Sequence, residues 1–311
     1  MRPFRFGLQV ARADSRASLA DAARQAEDLG FVTLQVPDHL LDVLPPLLPL
    51  VTAAEATTTL RVGTLVLNND LRHPVLLARE AAAVDMLTDG RLELGVGAGH
   101  AEPEYRSIGL PFDRPAVRVE RLGEALGLLD RLLRGEEVTF TGRHYRVEAH
   151  RVHPLPVQRP RPPLLVGGGN RRLLADAARV ADIIGLTGTG RTMADGQSHE
   201  PTGFPAAAVD ERVALIRRAA GERWPDLELH CLVQTVVQTD DRRGSAERLA
   251  RRLPPLTPAD VLDSPFLLVG TVDSMVEDLQ ARRERFGISY VTVRPDARDV
   301  LAPVIGRLAG T

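Results

Sequence analysis

Residues 60–97 read LRVGTLVLNNDLRHPVLLAREAAAVDMLTDGRLELGVG. The first eight residues, Leu60 to Leu67, form an apolar run with the composition of a buried strand, and Arg91 to Gly97 form a second. Between them a polar junction, Asn68 to His73, leads into a helical stretch from Pro74 to Leu87, and proline is favoured in the first turn of a helix. Strand, helix and strand in this order make a crossover unit, which pairs its two strands in parallel.

The same alternation continues in both directions. Upstream, Phe4 to Val10 reads as a strand, and Ser18-Leu19-Ala20-Asp21 resembles a capping box. Leu19, Ala22, Ala23, Ala26 and Leu29 follow at helical spacing up to Gly30, placed as a C-terminal cap. A strand from Val32 to Val36 and a helix near Leu47 to Ala56 complete the second unit. Downstream, a long helix is expected from about Arg114 to Arg134. Residues 137–163 then break the rhythm with a short hairpin and a proline-rich connector. Beyond it come strand Leu164 to Val166, helix Asn170 to Val180, strand Asp182 to Leu186 and helix Val209 to Ala219. Strand Glu228 to Gln238, two helical stretches, helix Ser274 to Phe286, strand Ile288 to Val293 and a last helix follow. An open doubly wound sheet is the other arrangement such alternation allows, but eight strands favour closure. The expectation is one (β/α)8 TIM barrel over residues 1–311, with a hairpin insertion near 136–162 and a loop insertion near 188–207.

The chain has 311 residues, 39 basic against 41 acidic side chains and a formal charge of −2. That balance offers no basic field for nucleic acid or an anionic membrane surface. The start, MRPFRFGLQVARAD, reads as neither a signal peptide nor a membrane span, so a cytoplasmic protein is expected. The single cysteine, Cys231, has no partner for an internal disulfide. His230 beside it would face the opposite side of a strand, so a buried structural thiol is expected.

In a barrel, chemistry gathers at the C-terminal ends of the strands. Those ends carry Pro37-Asp38-His39, Asn68 to His73, Gly97-Ala98-Gly99-His100 followed by Glu102 and Glu104, Gly167-Gly168-Gly169-Asn170, and Thr187-Gly188. His39, His73 and His100 would stand at the mouth, either as proton-transfer groups or as helix caps and loop ligands. A catalytic metal is not expected, because the first strand ends in Gln9-Val10-Ala11-Arg12 instead of a His-x-His pair. Gly167 to Gly169, ahead of a helix that begins with Arg171 and Arg172, read as a phosphate cradle or as a tight turn. Gly95-Val96-Gly97-Ala98-Gly99 does not match a dinucleotide fingerprint. Segments Pro103 to Pro115 and Arg191 to Pro205 have the composition of loops that close over a ligand.

Several of these stretches resemble the luciferase-like superfamily, and within it the branch that uses the deazaflavin coenzyme F420. The likeness runs from Gly63-Thr64-Leu65-Val66-Leu67-Asn68-Asn69-Asp70-Leu71-Arg72-His73-Pro74 through Gly90 to Gly97, Val166 to Gly169 and Ala181 to Leu186, and ends at Phe286 to Tyr290. The resemblance implies a non-proline cis peptide between Leu65 and Val66 backing the cofactor ring. It implies cofactor contacts at Asp38, Leu65, Val66, Gly167, Gly168, Gly169 and Thr187, with His39 as a catalytic group; by their place at the strand ends, Asn68, Gly97, Ala98 and Gly99 are expected as further cofactor contacts and His100 as a second catalytic candidate. It also implies a homodimer. The family's sugar-phosphate dehydrogenases carry an acid directly after the glycines of the fourth strand; here that position is His100, which argues against sugar-phosphate oxidation.

The resulting expectation is an F420-dependent reductase or dehydrogenase that moves a hydride to or from a small organic substrate, with reduction of an activated C=C or C=N bond favoured. Two alternatives stand beside it. One is an FMN-dependent monooxygenase on the same barrel, and the other is a barrel that binds a cofactor or ligand without catalysis.

Overall fold

The computed structural model describes residues 1–188, 190, 193 and 199–311. Eight parallel strands form the barrel: β1 Arg5–Gln9, β2 Thr33–Val36, β3 Arg61–Thr64 resuming at Leu67–Asn68, β4 Leu92–Gly97, β5 Leu164–Gly168, β6 Ile183–Leu186, β7 Glu228–Leu232 and β8 Ile288–Val293. Neighbours pair in chain order, and β1 pairs with β8, which closes the ring. Helices over Arg16–Asp28, Leu48–Glu55, Pro74–Leu87, Pro115–Leu133, Arg171–Val180, Ala206–Ala220 and Val272–Phe286 occupy the crossovers. The antiparallel hairpin Val138–Thr141 with Arg146–His150 stands where the sequence places an insertion. No described helix is long and apolar enough to cross a membrane.

Three local expectations are corrected. The first helix is capped by Ser15, whose hydroxyl accepts from the Ser18 N–H, so Ser18 closes the capping box instead of opening it. The run Glu228 to Gln238 is two strands. β7 stops at Leu232, and Thr235–Gln238 leaves the barrel to pair in parallel with Leu267–Gly270, a strand that periodicity alone did not separate from its helical surroundings. The segment Pro103 to Pro115 is no unstructured loop. It begins as a helix over Glu102–Ser107, and Asp113 is held by Arg118 through its carbonyl and by Arg121 through its carboxylate. Of the second loop, Thr189, Arg191, Thr192 and residues 194–198 lie outside the described residues.

The main apolar core is the shell between strands and helices, built on side chains such as Phe6, Leu8, Leu34, Leu94 and Val291. The barrel interior holds mostly polar groups in layers. At the base, buried Glu93 accepts from Tyr290 Oη at 3.1 Å and pairs with Arg61 at 2.8 Å and with Arg5, which also reaches Glu228 at 2.8 Å. One layer up, Thr292 Oγ1 donates to Gln35 Oε1 at 2.7 Å and meets His230 Nε2 at 2.9 Å. Leu165, Ile183 and Tyr290 fill the remaining interior, with Leu65 and Val66 packed on them. Most of these buried polar groups find partners, as burial requires, although Gln35 Nε2 and His230 Nδ1 find none among the described residues.

Candidate active site

The site is organised by a defect in β3. Its first half pairs with β4 through Val62–Leu92 and Gly63–Glu93, and its second half through Leu67–Val96 and Asn68–Gly97. Between them the Leu65–Val66 peptide is cis, at the bond the resemblance implied. Thr64 fills the broken ladder: its hydroxyl donates to the Gly95 carbonyl at 2.8 Å and accepts the Gly95 N–H at 2.9 Å. Gln9 Nε2 donates to the Leu65 carbonyl at 3.1 Å, fastening the defect to β1.

Val66 projects toward glycines on two other strands. A Cβ added at Gly97 would lie 2.7 Å from Val66 Cγ2, and one at Gly167 would lie 3.0 Å from Val66 Cγ1. Both are closer than ordinary carbon contacts, so a side chain at either position would have to displace Val66. Half-buried Leu65, Val66, Ala98, Gly167 and Gly168 thus make a low, apolar floor at the barrel mouth. Such a floor suits a flat ring.

Polar groups of the strand-end loops surround it. Buried Asp38 accepts the Asn68 N–H at 2.9 Å and the Arg72 guanidinium on both oxygens, tying the loop after β2 to the loop after β3. The Asn68 carbonyl oxygen accepts from Asp70 N–H at 3.1 Å and from Tyr105 Oη at 3.0 Å. That use fixes the amide's orientation and leaves its NH2 without a hydrogen-bond partner among the described residues. Gly99, at φ +72°, runs so close beneath this pair that a Cβ would meet Tyr105 Oη at 2.1 Å.

His39, next to Asp38, places Nδ1 2.7 Å from Glu104 Oε1 on the Glu102–Ser107 helix. Its ring meets His100 edge-on with centroids 5.5 Å apart, and His100 meets His199 at 4.8 Å. His100 is exposed, although its ring stands among His39, His199 and the surrounding loops. Crowding by protein atoms, together with the His199, His39 and Arg118 charges, pushes its pKa down to about 4. At neutral pH it is an uncharged imidazole.

The structure therefore brings together His39, His100, Asp38, Asn68, the Leu65–Val66 bond and the glycines of β4 and β5. Thr187 stands at the end of β6, whose Gly185 and Leu186 lie opposite Gly167 and Gly168. His73 takes the bland role: it caps the Pro74–Leu87 helix by accepting the Val75 N–H at 3.2 Å, with its ring against Tyr145. The phosphate reading of Gly167 to Arg172 narrows, because Asn170 Oδ1 already caps the N–H groups of Arg172 and Leu173. Arg171 and Arg172 face Glu211 and Asp176 at 3.8 and 3.7 Å. Sequence reasoning passed over Tyr105 and Arg72 and gave Glu104 no role, since each acts through a partner more than 30 positions away. Among the described residues no cluster of metal-ligating groups is present.

A family model described as luciferase-like monooxygenase matches residues 2–285. An F420-dependent glucose-6-phosphate dehydrogenase of Nakamurella multipartita is 33% identical over 254 residues, covering 78% of this chain and 70% of the relative. A protein of the same description from Microbacterium testaceum is 31% identical over 189 residues, and there the match spans 58% of this chain and just over half, 55%, of the relative. Among solved structures, the coenzyme F420-dependent tetrahydromethanopterin reductase from Methanopyrus kandleri superposes with a TM-score of 0.77 at 17% identity, covering 99% of this chain and 98% of that one. An F420-dependent secondary alcohol dehydrogenase in complex with an F420–acetone adduct gives 0.77 at 17% identity, with coverage of 98% and 99%. At such identities the structural likeness is one of fold, and it agrees with the closed barrel described above. With the family model spanning most of its length, the chain belongs to the luciferase-like monooxygenase family.

Proposed function

We propose that the protein is a coenzyme F420-dependent oxidoreductase that passes a hydride from reduced deazaflavin to a small organic substrate carrying an activated C=C or C=N bond. The observation that carries the reading is the apolar floor of Leu65, Val66 and the β4 and β5 glycines with a histidine–carboxylate pair, His39 and Glu104, at its edge. The relatives in Nakamurella and Microbacterium support the choice of cofactor. When bound, the deazaflavin supplies a hydride in one two-electron step and does not activate oxygen.

The residues present suit that group. The absence of side chains at Gly97 and Gly167 lets Val66 lie close against β4 and β5, which keeps the floor low for a planar ring above it. The Asn68 amide offers a fixed donor, and the backbone of Gly167 to Gly169 with Thr187 would hold the phosphate-bearing side chain. Asp38, already engaged by Arg72 and Asn68, acts on the cofactor by fixing that loop. His39 would deliver a proton to the substrate atom next to the carbon that receives the hydride, and binding both partners on one floor provides the orientation such transfers need. The reading includes a homodimer; Leu76, Met86 and Leu87 are large apolar side chains exposed on the Pro74–Leu87 helix. Light scattering would report a mass of about one chain if that part is wrong.

The test is turnover. Reduced F420 is mixed anaerobically with the protein and a panel of activated alkenes and imines, and the return of oxidised-deazaflavin fluorescence is followed. Substrate-dependent oxidation that His39→Ala abolishes supports the reading. Full activity after replacing both His39 and His100 with alanine would remove the proposed proton chemistry, and oxygen uptake with reduced FMN instead would favour a monooxygenase.

A further inference from the structure

Every described buried carboxylate but one is compensated by a guanidinium or by several N–H donors. Asp38 meets Arg72, Glu93 meets Arg5 and Arg61, Glu228 meets Arg5, and Asp85 takes the N–H groups of Val157 and Gln158. Glu104 has a side chain only 4% exposed, and among the described residues its one polar partner is His39, with no guanidinium in ion-pair range. A buried carboxylate is costly unless charge or hydrogen bonds compensate it, so its placement depends on that imidazole. It reaches His39 from a different element: the helix Glu102–Ser107 follows β4, whereas His39 follows β2.

We propose that Glu104 is the positioning residue that makes His39, and not His100, the proton-transferring group of this site. The proposal rests on the reading of the mouth as a hydride-transfer site. An ionised carboxylate only accepts hydrogen bonds, so the ring must present Nδ1–H to it, which directs Nε2 toward the mouth. In the reductive direction Nε2–H of the imidazolium gives its proton to the substrate heteroatom or carbon while the hydride from reduced deazaflavin bonds to the neighbouring carbon. The C=C or C=N π bond breaks, and two C–H or one C–H and one N–H bond form; the oxidised deazaflavin would release its ring N–H proton to solvent, and solvent returns one proton to His39, so the net transfer is one hydride and one proton. Nδ1–H stays on Glu104 throughout, so the carboxylate balances the ring's charge when Nε2 is protonated. His100 has no carboxylate in hydrogen-bond range among the described residues, and its neutral ring lines the mouth beside His39.

Ring-nitrogen NMR of the cofactor-free protein tests this without any substrate. In alkaline buffer, where histidine rings are neutral, the 15N signals of His39, identified by their absence in His39→Asn, report which nitrogen carries the proton. The expected result is the Nδ1–H tautomer in the natural protein, the same tautomer in Glu104→Gln, whose side-chain oxygen still accepts, and loss of it in Glu104→Ala. An Nε2–H tautomer in the natural protein, or one unchanged by Glu104→Ala, overturns the proposal. The spectrum of the natural protein decides by itself if the alanine variant fails to fold. Failure of F420 to bind in a separate titration would sink the cofactor reading and leave the tautomer result standing.

Discussion

Gly99 is the residue whose replacement should be felt most locally. Its φ of +72° disfavours any L side chain by about 1–2 kcal/mol, and a Cβ would strike Tyr105 Oη and Asn68 Oδ1. Gly99→Ala is therefore expected to lower the urea midpoint and to weaken F420 binding together, because the same contact orients the Asn68 amide. His230 bears a second prediction. Burial, with the Arg5 charge, drives its pKa from 6.5 down to about 3, so the folded protein keeps the ring neutral. The unfolded chain binds a proton below its own pKa and the folded chain does not, so stability that is full above 6.5 falls as the pH drops toward 3. Between pH 7 and pH 5 that should amount to about 2 kcal/mol, absent from a folded His230→Asn variant. Urea melts of both proteins at the two pH values would reveal it; equal losses would show that His230 is not the group responsible. At this scale the sequence named the site histidines because strand ends mark the mouth. It could not name Glu104, because the contact joins residues 65 positions apart.

Among the elements, the hairpin of the 136–162 insertion acts as a brace. Half-buried Glu124, on the Pro115–Leu133 helix, accepts the N–H groups of Arg143, His144 and Tyr145 at 2.7, 3.0 and 3.1 Å. Partial burial raises its pKa, and the three hydrogen bonds outweigh that and hold it below the usual range. The same turn carries Tyr145, whose Oη accepts from Asn69 Nδ2 at 3.0 Å beside the β3 loop. Glu124→Ala should speed amide exchange at residues 143–145 at least tenfold and cost about 1–3 kcal/mol from the donors left behind. Exchange unchanged at those amides would contradict the brace. Helix and strand periods were legible along most of the chain, and the Pro74–Leu87 helix has the bounds its sequence suggests. The break at Leu232 was not, because Val233, Thr235, Val236 and Val237 keep a β-branched composition running past it while the partner that captures Thr235–Gln238 lies some thirty residues on.

For the whole molecule, barrel closure meets at Glu93. Its carboxylate joins Arg5 on β1, Arg61 on β3 and Tyr290 on β8 to its own β4, with Glu228 of β7 sharing Arg5. Removing one partner of such a buried network costs about 3–5 kcal/mol, and the partly exposed guanidinium groups put Glu93→Ala near the lower end. A calorimetric melt showing no loss would mean that apolar packing alone closes the ring. The count of strands and their parallel order could be read from the alternation of elements. The charged layers inside the barrel could not, since side chains such as Arg5, Gln35, Glu93, His230 and Thr292 stand among apolar neighbours and read as ordinary alternation until the ring closes. Function follows from the opposite end of the same barrel, where the interrupted third strand and the glycines of β4 and β5 leave a floor for a flat cofactor. The most direct test is a fluorescence titration of the purified protein with oxidised F420 and, separately, with FMN at fixed salt. Tight F420 binding with weak FMN binding, and a loss of F420 affinity when Gly97 is replaced by valine, is the expected result; tight FMN binding with no F420 binding would contradict it.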